Sequence, residues 1–290
     1  MICVPIGRVL LPFLAAGNSF SSHSGDPIML GHSAAAEPYA TRVAREQHAY
    51  DEAGLRRQTY EAVLSHTEHL YREHRIALAG RILRGHAVAT ALEIGCKTWA
   101  DFLGRNGVFP RELDCINISE SEMALGRQRL GETALRPRFR LMDAHALDYP
   151  DRHFDLVFGT GILHHLDLER ALAEIARVLK PDGIVLFGEP LDTNPVGRVV
   201  RALTPRARTA DERALRKPEL ARIARTFACT FHFEQLLSVP AGLVSRSLCA
   251  SPDNPITRTA YRADELVRAH LPAVAPYFRK VLIEGRPQTH

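Results

Sequence analysis

Two adjacent histidines, His164 and His165, follow a Gly159-Thr160-Gly161 turn in this sequence. A histidine titrates near neutrality, so either ring suits a general base. Polar residues and glycines recur at the same kind of place, the end of a short apolar run. Glu93-Ile94-Gly95-Cys96-Lys97 ends the first run, Asn117-Ile118-Ser119 the second, and Asp143-Ala144 the third. Gly188-Glu189-Pro190 ends the fifth. Glycine at 95 lets backbone approach a ligand closely. His145 and Glu189 are further candidates for moving a proton.

These residues converge only if the runs are neighbouring strands. From about residue 88, short apolar runs alternate with helical stretches. "ATALEIG", "ELDCIN", "RFRLMDA", "FDLVFGT" and "GIVLFGEP" read as strands, followed later by "CTFHFEQLLSV" and "RKVLIEG". "SESEMALGRQRLG" reads as a helix opened by Ser119 with Glu122 three residues on, a capping pattern. "DLERALAEIARVLKPDG" places Leu168, Leu172, Ile175 and Leu179 on one helical face and stops at Pro181 and Gly183. "WADFLGRNG" reads as a short helix ending at Gly104 or Gly107. Such alternation predicts a mostly parallel sheet with helices on both faces. Ligands bind at the carboxyl ends of the strands in sheets of this kind.

The rest of the chain sets bounds. Its 290 residues suffice for one large core with appendages. A net charge of +4 is too mild to indicate nucleic acid, which calls for a dense basic face. The five cysteines are widely spaced with no CxxC, which argues against a disulfide framework or structural zinc and fits reduced cytosolic thiols. Residues 1–40 hold a short apolar run and a Ser/Gly/Ala/Pro-rich stretch. They are expected to be a disordered extension or the product of an upstream start codon, with a cytoplasmic protein and no membrane span. Residues 41–84 interleave charged and apolar residues and are expected to form a helical cap of two or three helices. Within them, His66, His69 and His74 lack a completing ligand set. They read as a solvated helix face, and no metal site is expected. Tyr50 and Tyr60 read as core aromatics. A basic run of Arg198, Arg201, Arg206, Arg208, Arg213, Arg216 and Lys217 is broken by Asp211 and Glu212. It reads equally as a solvated lid or as a surface for an anionic group.

From about Ala89 to Pro190 the sequence resembles class I S-adenosylmethionine-dependent methyltransferases. The resemblance rests on a combination: Asp-Ala after the third strand, "FDLV", "LHHL", and "RVLKPDG" before the fifth strand. It implies an α/β fold, a Rossmann-like, mostly parallel seven-stranded sheet with an N-terminal helical cap. Residues 85–290 would form the domain, and an insertion at 191–226 would form the other wall of the substrate site. The resemblance assigns Glu93 to the methionyl end and Gly95, Cys96 and Lys97 to the cofactor turn. Asn117 and Ile118 fall at the ribose, where the family usually has an acid. Asp143 and Ala144 fall at the adenine, and Thr160 and Gly161 at the methyl-donor side. The family turn often reads GxGxG, whereas this chain has Lys97 and Trp99 in place of the later glycines.

The implied cofactor is S-adenosylmethionine and the implied reaction is methyl transfer to a small-molecule acceptor, oxygen before nitrogen or carbon. The protein's work in such a displacement is to place the acceptor and take its proton. His164 and His165 are the candidate bases. Two other readings stay open: a cofactor-retaining cyclase or rearrangement enzyme, and a non-catalytic binding protein of the same fold.

Overall fold

The computed structural model describes residues 64–96, 100–131, 134–203 and 214–288. Lys97, Trp99, Tyr50, Tyr60 and the whole of 1–63 lie outside the described residues. A seven-stranded sheet carries the fold. Its strands are β1 (Thr90–Ile94), β2 (Glu112–Asn117), β3 (Arg138–Leu141), β4 (Phe154–Thr160), β5 (Leu179–Pro190), β6 (Phe227–Glu234) and β7 (Lys280–Pro287). Their spatial order is β3-β2-β1-β4-β5-β7-β6. Strands β1 to β5 pair in parallel, and β7 runs antiparallel between β5 and β6. The order reverses at β1 and β4, so the carboxyl ends of those two strands flank the crevice where such sheets bind ligands.

Apolar residues alternate across the sheet and build two cores. Leu92, Val157, Val185, Phe187 and Ile283 face one side. There they pack with Leu172 and Ile175 of α4 (Leu168–Val178). Ala91, Leu156, Phe158, Leu186 and Leu282 face the other side. There they pack with Ile76, Ala79 and Leu83 of α1 (Ser65–Leu83) and with Phe102 of α2 (Asp101–Arg105). The remaining helices are α3 (Glu120–Leu130), α5 (Pro195–Leu203), α6 (Lys217–Thr226), α7 (Ser238–Leu248) and α8 (Pro255–His270). No helix among the described residues is long and apolar enough to cross a membrane.

Strands β2 and β4 have the bounds expected from sequence; the other five shift, the sixth ending at Glu234 rather than Val239, and two of the shifts have clear local reasons. The third strand stops at Leu141 rather than Ala144, because Asp143 Oδ1 accepts the His145 amide at 3.0 Å and turns the chain. The fifth strand begins at Leu179, four residues early. Its pairing jumps from Phe154↔Leu179 to Leu156↔Ile184, which leaves Lys180-Pro181-Asp182-Gly183 as an irregularity. Proline has no N–H to give the ladder, so it sits where the ladder is interrupted.

Helix α1 is bound into the far side of the sheet rather than standing in solvent. Asp264 of α8 is almost wholly buried and accepts from the amides of Leu236, Leu237 and Ser238 and from the Ser238 hydroxyl. It also accepts from the Tyr71 hydroxyl of α1 at 2.5 Å. One carboxylate therefore ties α1, α8 and the start of α7. Glu68 of α1 meets Arg279 at 2.7 Å and Lys280 at 2.8 Å. Burial pushes its carboxyl up, but Lys280, Arg75 and Arg279 together hold it well below the usual range. Arg75 also approaches the buried Glu234 at 3.3 Å.

The histidines of α1 correct a sequence expectation. His66 is buried against Ser245 Oγ at 2.9 Å, and His74 Nδ1 lies 2.6 Å from the Tyr261 hydroxyl. Only His69 faces solvent. The helix turns two of its three histidines toward α7 and α8, where hydroxyl partners offset their burial. No metal-binding cluster occurs among the described residues.

Candidate active site

The carboxyl ends of β1, β2, β3, β4 and β5 bring most of the expected residues to one edge. At β1, Glu93 is buried and accepts from the Cys115 thiol at 3.4 Å. Its carboxyl lies behind the turn rather than on its surface. Burial, with Glu93 next, pushes both the Cys96 and the Cys115 thiols up, so neither is a thiolate nucleophile. The turn itself uses left-handed backbone at two consecutive residues, Gly95 with φ 102° and Cys96 with φ 46°. A side chain at 95 would also press on Ile162 at 3.3 Å. Cys96 is only 2% exposed, so side chain and backbone are both covered at that position. Lys97, the next expected contact, falls outside the described residues.

Asn117 closes the gap between the first two strand ends. Its Nδ2 donates to the Gly95 carbonyl at 2.9 Å and its Oδ1 accepts from the Ser119 amide at 3.0 Å. The amide thus clamps the Gly95–Cys96 turn to the start of α3, a use that the sequence does not signal. Ile118 is partly buried beside it, and Ser119 caps α3 by accepting from the Glu122 amide. Gly126 of α3 lies directly beneath the turn. A Cβ there would stand 2.7 Å from the Cys96 carbonyl oxygen. A glycine inside a helix was the available signal for this close approach.

Asp143 follows β3 and holds His145 Nδ1 at 2.6 Å. Ala144 beside it is buried in the core. Thr160 and Gly161 end β4, with the Thr160 hydroxyl donating to the Gly188 carbonyl at 3.2 Å and the Gly161 amide to the same oxygen at 2.7 Å. Gly161 has φ 57°, and from it the chain turns into a single 3-10 turn, Leu163–His165.

The two candidate bases differ in their surroundings. His164 Nδ1 lies 2.7 Å from Glu189 Oε2, and Glu189 is completely buried at the end of β5. The other oxygen of Glu189 accepts from the Ile162 and Leu163 amides, each at 3.0 Å. Three donors converge on that carboxylate, and their hydrogen bonds offset its burial. The proton between the pair sits on Nδ1, which makes Nε2 the basic nitrogen of His164 in its neutral form. His165 lies beside it, ring to ring at 4.1 Å, and is partly exposed. Glu189, a further candidate from sequence for moving a proton, thus lies against His164 with both of its oxygens hydrogen-bonded.

The segment after β5 lines a second, apolar hollow. Leu191, Leu215 and Leu220 form it with Phe231, Phe233 and Pro276, around a cavity of about 50 Å³. Arg216 stands at that rim, paired with Asp192 at 2.8 Å. Residues 204–213, with three arginines of the basic run, lie outside the described residues.

Comparison with known proteins agrees with this layout. Residues 92–187 match the family model described as a methyltransferase domain. The ubiquinone/menaquinone biosynthesis C-methyltransferase UbiE of Laribacter hongkongensis is 37% identical over 94 residues, which are 31% of this chain and 36% of that one. UbiE of Hydrogenovibrio crunogenus is 30% identical over 160 residues, 52% of this chain and 61% of that one. The O-methyltransferase cnsE of Penicillium expansum is 28% identical over 107 residues, 36% and 39% of the two chains. The chain spans about a third of the length of the first curated relatives it matches. Among solved structures, a chain in the complex of the Haloferax volcanii Trm112 methyltransferase activator with a methyltransferase shares the fold. Its TM-score is 0.54 at 17% identity, covering 84% of this chain and 98% of that one. The matched segment contains the ends of β1 to β4, while the end of β5 with Gly188 and Glu189 lies just beyond it, and over that segment the chain is similar to methyltransferases.

Proposed function

We propose that this protein transfers a methyl group from S-adenosylmethionine to a hydroxyl of a small-molecule acceptor. The residues present fit the cofactor. The left-handed Gly95–Cys96 turn, with no Cβ at 95, supports close packing of backbone at the end of β1 against a ligand. Asp143 is the acceptor for the adenine amino group, and Asn117 and Ile118 flank the ribose. Glu93 supports the turn on the methionyl side, and Thr160 and Gly161 line the donor side. The bound cofactor supplies a methyl group already activated on a sulfonium.

What the chain supplies is a base. The observation that carries the reading is the buried His164–Glu189 pair at 2.7 Å beside Gly161. Glu189 fixes the Nδ1–H tautomer, so Nε2 takes the acceptor's proton, and the carboxylate stabilises the imidazolium that forms. A hydroxyl needs such help to become a nucleophile. The apolar hollow behind β5 supports an acceptor with an apolar body. Carbon is the second reading, favoured by the C-methyltransferase names among the relatives.

Calorimetry with S-adenosylhomocysteine tests the cofactor claim. The folded chain is expected to bind it, and Asp143→Ala is expected to weaken binding by about tenfold, the value of one charge-assisted hydrogen bond. No binding by the folded wild-type chain overturns the proposal. Product mass and NMR then separate methylation on oxygen from methylation on carbon.

A further inference from the structure

His145 sits between the two halves of the site and bonds to both. Its Nε2 lies 2.8 Å from the Asp167 backbone nitrogen, an N–H that can only donate. Nε2 therefore carries the lone pair, and the ring proton is on Nδ1. That proton points at Asp143 Oδ1, 2.6 Å away. The His145 amide donates to the same oxygen at 3.0 Å. The side chain is 7% exposed, so the ring is held by its neighbours rather than by water. Asp167 in turn caps α4 and follows the 3-10 turn that carries His164.

We infer that His145 is a positioning residue: it locks the Asp143 carboxyl for recognition of the adenine amino group, and it ties that carboxyl to the turn bearing His164. The inference rests on the methyltransferase reading above. A carboxyl's terminal torsion is broad and twofold, so an aspartate left to itself samples many planes. Two donors on one oxygen, one from backbone and one from a buried ring, select a single plane. Loss of the ring removes the side-chain donor from that oxygen and takes the acceptor away from the amide of Asp167.

The two contacts separate by substitution. Asparagine places its amide nitrogen near the position of the histidine Nδ1, so His145→Asn keeps the donor to Asp143 and loses the acceptor for Asp167. Glutamine reaches toward the position of Nε2, so His145→Gln keeps the acceptor and loses the donor. The experiment uses the full chain and two probes, S-adenosylhomocysteine and its 6-keto analogue S-inosylhomocysteine, with affinities from calorimetry. The wild type is expected to prefer the amino probe by at least about tenfold, the lower end for a hydrogen bond to a charged group. His145→Asn retains that preference and His145→Gln loses it. Hydrogen–deuterium exchange over residues 163–170 reads the other contact, faster in His145→Asn and unchanged in His145→Gln. Far-UV circular dichroism verifies that each variant is folded. Failure of the wild type to bind either probe overturns the cofactor reading itself. A wild type that binds without an adenine preference, or equal behaviour of the two variants in both measurements, overturns the role of His145.

Discussion

The family that this chain resembles usually has an acid at the position of Asn117, and restoring it is the sharpest test of the site. In Asn117→Asp, one oxygen keeps its bond to the Ser119 amide. The other replaces an N–H that now donates to the Gly95 carbonyl at 2.9 Å, and it sets two acceptors against each other. Losing the bond costs about 1 kcal/mol, and leaving a partly buried carbonyl facing a carboxylate adds about 1–2 kcal/mol. The sum, about 2–3 kcal/mol, lowers the melting temperature by roughly 4–12 °C for a domain of this size. The sign with pH is fixed by the same geometry. Once protonated, the variant's new carboxyl can donate to Gly95 again, so folding favours the acid form. The folded-state carboxyl is thus raised, and the variant's deficit is full above the usual carboxylate range and shrinks as pH falls into it. Urea unfolding of wild type and variant side by side at several pH values measures this. A variant as stable as wild type at neutral pH that binds S-adenosylhomocysteine more tightly refutes the clamp.

Gly126→Ala drives a Cβ to within 2.7 Å of the Cys96 carbonyl oxygen, which is backbone and cannot swing aside. It is expected to cost about 1–3 kcal/mol in denaturant unfolding and to weaken S-adenosylhomocysteine at least about threefold. Glu189→Gln keeps an acceptor for the Ile162 and Leu163 amides but turns an N–H toward His164 Nδ1. The ring is forced to the other tautomer, so nitrogen-15 NMR finds the proton on Nε2. Turnover with an identified acceptor falls about 10²–10⁴-fold while cofactor affinity holds. An unmoved proton counts against the pair. His74 is pushed down to about 4 by burial first, then by Arg268 and Arg81. The unfolded chain therefore binds an extra proton between about 4 and 6.5, and stability falls as pH drops through that window. His74→Asn is expected to flatten the curve there, which unfolding at stepped pH will show.

The strand-end residues were legible because each strand signals its own end. A short apolar run followed by Gly95, Asn117 or Glu189 marks the edge without any knowledge of pairing. The bounds of β2 and β4 were likewise local, since each holds four consecutive buried residues in a mostly apolar run broken by one aspartate, Asp114 and Asp155. The start of β5 was hidden because a proline masks a strand that tolerates it only through the pairing jump at Phe154. Side-chain partners were hidden for a different reason. Asn117 to Gly95, His145 to Asp167 and Glu189 to His164 join residues 22 to 25 apart in sequence. Only the sheet order brings them together. The histidines of α1 misled because their partners, Ser245 and Tyr261, come from helices 179 and 187 residues further along.

The family match begins at residue 92, yet the Asp264 carboxylate sets a different edge to what can be moved as a piece. A cut at residue 92 removes Tyr71 from that carboxylate and Glu68 from Arg279 and Lys280. It also bares the sheet face made by Leu156, Leu186 and Leu282, which Ile76, Ala79 and Leu83 now cover. The methyltransferase segment is therefore not a cassette that can be swapped between relatives by its matched bounds. A chimera that exchanges it has to carry the helix at 65–83 and the stretch from 227 to 288 as matched flanks, or inherit a buried carboxylate that has lost its Tyr71 donor.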